Sequence, residues 1–232
     1  MEKDERTSFE DLHVSYPDES VTEDIYQFSY DKIIECLPKN KTVLDIGCGI
    51  GKLANRIADF SKETIGIDIA EDRIETAKQI HNKKNLKFFV SDAYDLPLKG
   101  DSVDVIVSLG VFHHLELEKI APEIDRILKK NGIMLVLDIY EGFQRPSARI
   151  KSWIKMFQRD GFSKTLKVFF RMLPLFLREK NREHRKNDRE RMIKMNKYTF
   201  AGFNSEYSKV FKNCKCNEDI FPYATCYYVK EN

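Results

Sequence analysis

The feature that most limits how this chain can fold is an apolar run that breaks into three alternating glycines and resumes as a helix. It reads Val43-Leu44-Asp45-Ile46-Gly47-Cys48-Gly49-Ile50-Gly51-Lys52-Leu53-Ala54. A short apolar run ending directly on glycines is the pattern of a buried strand entering a tight turn. Glycine there lets the main chain approach a ligand, and the helix that follows aims its free N–H groups at the same place. The rest of the chain repeats the theme. After Thr42–Gly47, strand-like runs recur at Thr64–Ile69, Leu86–Asp92, Ser102–Gly110 and Ile133–Tyr140. Helical patterns occupy Lys52–Phe60, Glu71–His81 and about Pro122–Lys130, the last expected to end on a C-terminal glycine in Lys129-Lys130-Asn131-Gly132. Alternation of this kind requires crossover connections, hence an α/β fold with a doubly wound, mostly parallel sheet. Parallel strands are covered on both faces, which accounts for their nearly continuous apolar character.

The pattern is different at both ends. Ile25, Phe28, Ile33, Ile34 and Leu37 fall at helical spacings over about Thr22–Leu37, and Pro38 stops that helix. After Tyr140 the chain becomes helical and basic. Gly142–Phe200 carries 17 Lys and Arg against 5 Asp and Glu, whereas the whole chain has 39 against 37, so a basic island sits on an acidic body. Two strand-like runs, about Lys215–Phe221 and Tyr223–Lys230, close the sequence as a terminal hairpin.

A length of 232 residues with 42% hydrophobic and 33% charged residues suits one compact domain with an insertion. The charged start, Met1-Glu2-Lys3-Asp4-Glu5-Arg6, is not expected to act as a signal peptide, and no run is apolar enough to cross a bilayer. Five scattered cysteines fit a reducing compartment, so a cytoplasmic location is expected. Cys214 and Cys216 lack a second ligand pair of zinc-site spacing and read as ordinary thiols, with no metal expected.

The glycine spacing narrows the ligand. A dinucleotide fingerprint is G-x-G-x-x-G, whereas here it is Gly47-x-Gly49-x-Gly51. Asp68 ends the second strand, 21 residues after Gly47, where a carboxylate can accept from both hydroxyls of an unphosphorylated ribose. Asp92 follows the third strand, where an acid can accept from an adenine amino group. Each acid taken alone also reads as a helix cap or a solvated turn residue.

Taken together, these motifs resemble the class I S-adenosylmethionine-dependent methyltransferases. Val43–Gly51 is similar to the first motif of that family, Thr64–Ala70 to its second and Phe89–Leu98 to its adenine-side motif. Ser102–Leu115 resembles the fourth-strand motif and Arg126–Asp138 the following helix–turn–strand passage, with Lys130-Asn131-Gly132 in place of Pro-Gly-Gly. The resemblance implies a seven-stranded Rossmann-like sheet, a helical insert after the fifth strand and a terminal β-hairpin. It divides the single domain into an N-terminal helical cap (1–40), a cofactor-binding core (41–141), a basic insert or lid (142–203) and terminal strands (204–232).

It further implies S-adenosyl-L-methionine as cofactor, with S-adenosyl-L-homocysteine as product. Gly47 and Gly49 would approach the aminocarboxypropyl part, which Asp45 orients. Asp68 would bind the ribose and Ile69 would pack on the adenine. Asp92 and the Ala93 backbone would contact the adenine edge, and Ser108 and Leu109 would line the methionine end. Of the pair His113-His114, the plainer reading makes one a wall of the cofactor site and the other a packing residue; the alternative makes His113 a general base. Asp138 and Tyr140 face the acceptor side, where an acid such as Asp138 is more often a structural acceptor. The expected acceptor is a small molecule of anionic, aromatic or lipid-like character. The leading reading of the basic insert is a helical lid packed on the domain with its charges solvated; a grip on the acceptor through its aromatic residues and arginines comes second, a peripheral membrane patch third, and RNA ranks last because no RNA-binding module is recognised. A nicotinamide-dependent oxidoreductase and a binding or adaptor protein without turnover are the rival functions.

Overall fold

The computed structural model describes residues 29–139, six positions between 154 and 166, residues 199–218 and residues 223–231. Seven strands form one sheet: β1 (Thr42–Ile46), β2 (Glu63–Asp68), β3 (Leu86–Val90), β4 (Val103–Leu109), β5 (Leu128–Ile139), β6 (Lys215–Glu218) and β7 (Tyr223–Val229). Their order is β3-β2-β1-β4-β5-β7-β6. The first five run parallel; β7 inserts antiparallel between β5 and β6. The terminal hairpin expected at the sheet edge therefore reaches one strand inward, with only β6 at the margin.

The sheet is joined by helices α1 (Lys52–Ile57), α2 (Glu71–Ile80), α3 (Leu117–Ile127) and α4 (Phe200–Val210), with a 3-10 turn at Phe112–His114. In α3 the buried residues are Leu117, Ile120, Ala121, Ile124 and Ile127, a stripe of i, i+3, i+4 spacing that lies against the sheet. This helix starts five residues earlier than expected. Pro122 looked like a first-turn residue but lies inside the helix on its exposed face, where the missing N–H removes one hydrogen bond from the solvent side. Gly132 is no helix cap either. The helix ends at Ile127, and the left-handed residue is Asn131 at φ 60°. Gly132 is instead demanded by crowding, since a Cβ there would lie 2.7 Å from both Leu128 Cγ and the Lys129 carbonyl oxygen.

Two apolar layers flank the sheet. On one face α3 and α4 cover Ile46, Ile106, Met134, Val136 and Cys226. Aromatic residues at four-residue intervals carry α4 onto this face: Phe203, Tyr207 and Phe211 are all buried, with Phe203 and Tyr207 rings 4.3 Å apart and Phe211 5.2 Å from Tyr228. Thr199 caps α4 by accepting from Gly202 N–H at 3.1 Å. Residue 203, the expected end of the insert, thus lies inside this helix. On the other face residues 29–36 are helical, ending before Pro38 as expected, and Ile33 and Leu37 join Leu53, Ile57, Val105 and Leu135. Of the insert, Ile154, Phe157, Phe162 and Leu166 are exposed helical residues. The apolar cluster Val168–Leu177 and Tyr140 lie outside the described residues. Among the described residues no helix is long and apolar enough to cross a membrane.

Candidate functional site

The strand order reverses between β1 and β4, so the loops leaving their C-terminal ends diverge and open a crevice there. The first wall of this crevice is the glycine loop. Gly47 and Cys48 both donate their N–H groups to the Ile67 carbonyl at 2.8 Å, which staples the loop to β2. Gly47 sits at φ 73° and Gly49 at φ 54°, in the left-handed region where a side chain is costly. A Cβ on Gly47 would also collide with Val111 Cγ2, so this position is closed to larger residues from two sides.

Asp68 holds the main chain at two points. Its Oδ2 accepts from Gly49 N–H at 2.8 Å, and its Oδ1 accepts from Ala70 N–H at 3.0 Å at the start of α2. One carboxylate therefore fixes the loop and the helix entrance while staying half-buried at the crevice. Asp45 lies beneath it, 1% exposed and held by the Ala54 N–H. Burial, and then the neighbouring charge of Asp68, push its carboxyl up to about 7. Its Oδ2 finds no hydrogen-bond partner among the described residues. A buried carboxyl with an unsatisfied oxygen beside a second carboxylate is a place that a cationic ligand group would stabilise.

The remaining expected residues fall mostly where the sequence put them. Ile69 is half-buried beside Asp68, and Asp92 is exposed at the end of β3, its Oδ1 accepting from Tyr94 N–H at 2.9 Å. Ala93 is half-buried next to it. Leu109 is half-buried at the end of β4. Ser108 differs: it is fully buried and its hydroxyl donates to the Ile46 carbonyl at 2.9 Å, tying β4 to β1. Its side chain is committed to the sheet rather than to the crevice.

Several supporting residues were not singled out in the sequence. Arg126 donates to the carbonyls of Leu98 (2.6 Å) and Leu96 (2.9 Å), and Glu123 accepts from Leu96 N–H at 3.0 Å. Tyr94 Oη accepts from Glu116 N–H at 2.8 Å. These bonds clamp the loop carrying Asp92 against α3. No local motif announces them, because each joins residues more than 20 positions apart.

At the β4–β5 side, His113 and Asp138 come together. His113 Nδ1 lies 2.7 Å from Asp138 Oδ1, with His113 7% exposed and Asp138 fully buried. The sequence named both residues but gave no sign that they pair. The His113 and His114 rings lie 3.8 Å apart at 44°. An imidazole whose Nδ1–H donates to a buried carboxylate keeps Nε2 as a proton acceptor, and the carboxylate stabilises the imidazolium once it forms.

The model of the methyltransferase domain family matches residues 44–136, from β1 to β5. Residues 44–136 thus match a methyltransferase domain. The methyltransferase core is 34% identical over 113 residues to the uncharacterized methyltransferase YcgJ of Bacillus subtilis, covering 47% of this chain and 44% of that protein. It is 34% identical over 132 residues to a ubiquinone biosynthesis O-methyltransferase of Pelagibacter ubique, covering 56% and 53%. The chain thus spans about half the length of these relatives. A solved S-adenosylmethionine-dependent methyltransferase from Aquifex aeolicus shares the fold, with a TM-score of 0.58 at 18% identity over 98% of both chains.

S-adenosylmethionine is the cofactor that the match to a methyltransferase domain implies, and the residues present fit it. The unsatisfied Asp45 oxygen suits the ammonium of the aminocarboxypropyl group, and the side-chain-free loop at Gly47 and Gly49 admits it.

Proposed function

We propose that the protein methylates a hydroxyl of a small-molecule acceptor, with His113 as the general base and Asp138 as its positioning residue. The observation that carries this reading is the buried 2.7 Å His113–Asp138 contact beside the donor crevice. A bound sulfonium supplies an activated methyl group and departs neutral, so its expulsion needs no acid. What the chain must do is hold the donor, align the acceptor and remove the acceptor's proton. The glycine loop, Asp45, Asp68, Ile69, Asp92, Ala93 and Leu109 do the first. His113 Nε2 does the last, taking the proton as the oxygen attacks the methyl carbon in line. Asp138 keeps the required tautomer and shares the resulting positive charge.

The name of the Pelagibacter relative, an O-methyltransferase of ubiquinone biosynthesis, supports a small hydroxylated acceptor. The basic segment 142–203, rich in Phe, Leu and Arg, supplies the chemistry for gripping an anionic or apolar acceptor, or for meeting a lipid surface that contains it. The cell compartment consistent with the cysteine pattern is the cytoplasm.

Formation of S-adenosylhomocysteine across a panel of phenols, alcohols and amines tests the reading. His113→Ala is expected to lower kcat by about 10²–10⁴-fold while S-adenosylhomocysteine affinity stays within a few-fold. Equal losses in turnover and affinity would make His113 a wall of the cofactor site. No turnover with any acceptor, despite tight cofactor binding, would favour a binding protein instead.

A further inference from the structure

A second group of chemically capable side chains lies outside the donor crevice, on the face of the sheet covered by α4. Strand β6 opens at Lys215, and Cys214 precedes it in the turn after α4. Side chains two apart on extended chain share a face, so the Cys214-x-Cys216 pair presents both sulfurs to one side. The pairing of β6 with β7 sets Cys216 directly opposite Cys226, which brings a third sulfur to that face. Asn213, at φ 63°, turns the chain back so that Cys214 closes the triangle. The three Sγ atoms lie within 4.8 Å of one another. Cys226 is buried, while Cys214 and Cys216 are half-buried, so the triangle has a solvent approach and an apolar floor.

We infer that Cys214, Cys216 and Cys226 form a binding site for a thiophilic metal ion, held by three thiolates. In a zinc–thiolate site with bonds of about 2.3 Å, ligand sulfurs stand about 3.8 Å apart, so the triangle needs only rotamer-scale adjustment. An all-sulfur set selects soft or borderline ions such as zinc or monovalent copper over magnesium or calcium. Among the described residues no histidine or carboxylate joins the group, so a four-coordinate ion would take its fourth ligand from outside the cluster.

The three sulfurs also interact with one another. Hydrogen bonds from Cys216 and Cys226 hold the Cys214 thiol well below its ordinary range, whereas the same contacts and burial push the Cys226 thiol up; the Cys214 contact pushes Cys216 up to about 12. Binding a divalent ion as three thiolates displaces to solvent whatever protons the sulfurs still carry, with no redox change. The bound ion would clip the turn after α4 to β7, which is hydrogen-bonded to β5 through the Cys226–Val136 pair, two residues before Asp138.

The test is titration of the fully reduced full-length chain with Co²⁺, followed by displacement with Zn²⁺ against a chromogenic chelator of micromolar affinity. The expected result is one equivalent of tetrahedral, thiolate-ligated cobalt, seen as sulfur-to-metal charge-transfer absorbance. Single Cys214→Ser, Cys216→Ser and Cys226→Ser variants are each expected to lose that absorbance, while Cys36→Ser keeps it. Circular dichroism confirms that each variant is folded, and a destabilised Cys226→Ser leaves the two half-buried positions to decide. Absence of a stoichiometric band in the reduced protein, or a band that survives Cys214→Ser and Cys216→Ser unchanged, overturns the inference.

Discussion

Replacing Gly47 by alanine isolates the physical demand that shapes the donor loop. Two separate costs are expected. At φ 73° an L-residue sits in the left-handed region, at about 1–2 kcal/mol. The new Cβ would also overlap Val111 Cγ2 and approach Cγ1 at 2.8 Å, an overpacking of about 1–3 kcal/mol. Together these amount to a loss of about 2–5 kcal/mol. Gly49→Ala is the internal control. Its φ is 54°, but the nearest atom to a Cβ there is Arg73 Nη1 at an ordinary 3.5 Å, so only the backbone cost of about 1–2 kcal/mol applies. Urea unfolding at equilibrium measures both. Combining Gly47→Ala with Val111→Ala removes the two methyls in conflict and leaves Val111 Cβ at 3.0 Å, so a partial rescue is expected on top of the cost of Val111→Ala alone. Equal destabilisation by the two glycine variants, or a double mutant that simply adds the single effects, would refute the argument that Val111 closes this position.

Further outcomes follow from the same geometry. Asp45 has its carboxyl raised to about 7 in the folded chain, so the unliganded fold binds a proton that the unfolded chain releases near 3.8. Its contribution is fully present below that lower value and is lost as pH rises through about 7; Asp45→Asn should flatten this decline, read from urea midpoints at about pH 5 and about pH 8, while weakening S-adenosylhomocysteine binding. A slope unchanged by the substitution would show that Asp45 is not the group responsible. Ser108→Ala removes the buried bond to the Ile46 carbonyl and should cost about 1–2 kcal/mol of stability, with cofactor affinity unaltered in calorimetry. A selective loss of affinity would return Ser108 to the crevice. Asp138→Asn is expected to lower turnover nearly as far as His113→Ala, since the amide no longer supports the imidazolium or fixes its tautomer, and near-normal kcat would remove it from the mechanism.

The features legible in the sequence are those written over short distances. The glycine loop and Asp68 fall within one strand–turn–helix–strand unit, where turn chemistry and apolar periodicity are local. The five parallel strands follow from their apolar runs and the helical stretches between them. Where local signals compete, the reading slips. Pro122 looked like a helix start, and Gly132 looked like a helix cap, but Asn131 takes the left-handed conformation and Gly132 answers to crowding by Leu128.

What the sequence hides is long-range. The pairing of His113 with Asp138 depends on neighbouring strands β4 and β5 ending at the same level. The third cysteine joins Cys214 and Cys216 only because the β6–β7 register sets Cys226 opposite Cys216. Ser108 read as a lining residue because its position along β4 is right; which way the hydroxyl points is decided by the Ile46 carbonyl across the sheet. Asp68 lies at the end of β2, where its spacing places it, and its hold on Gly49 N–H is contained in no spacing rule.

The central claim is that the crevice at the β1–β4 switch point holds S-adenosylmethionine through the glycine loop and Asp68. Calorimetric titration of the wild-type chain and of Asp68→Ala with S-adenosylhomocysteine, with NAD as the competing ligand, tests it most directly. The predicted result is saturable one-site binding of S-adenosylhomocysteine, weakened by about tenfold or more in Asp68→Ala, with no heat from NAD. Binding of NAD without binding of S-adenosylhomocysteine, or an Asp68→Ala variant that binds as tightly as wild type, would contradict it.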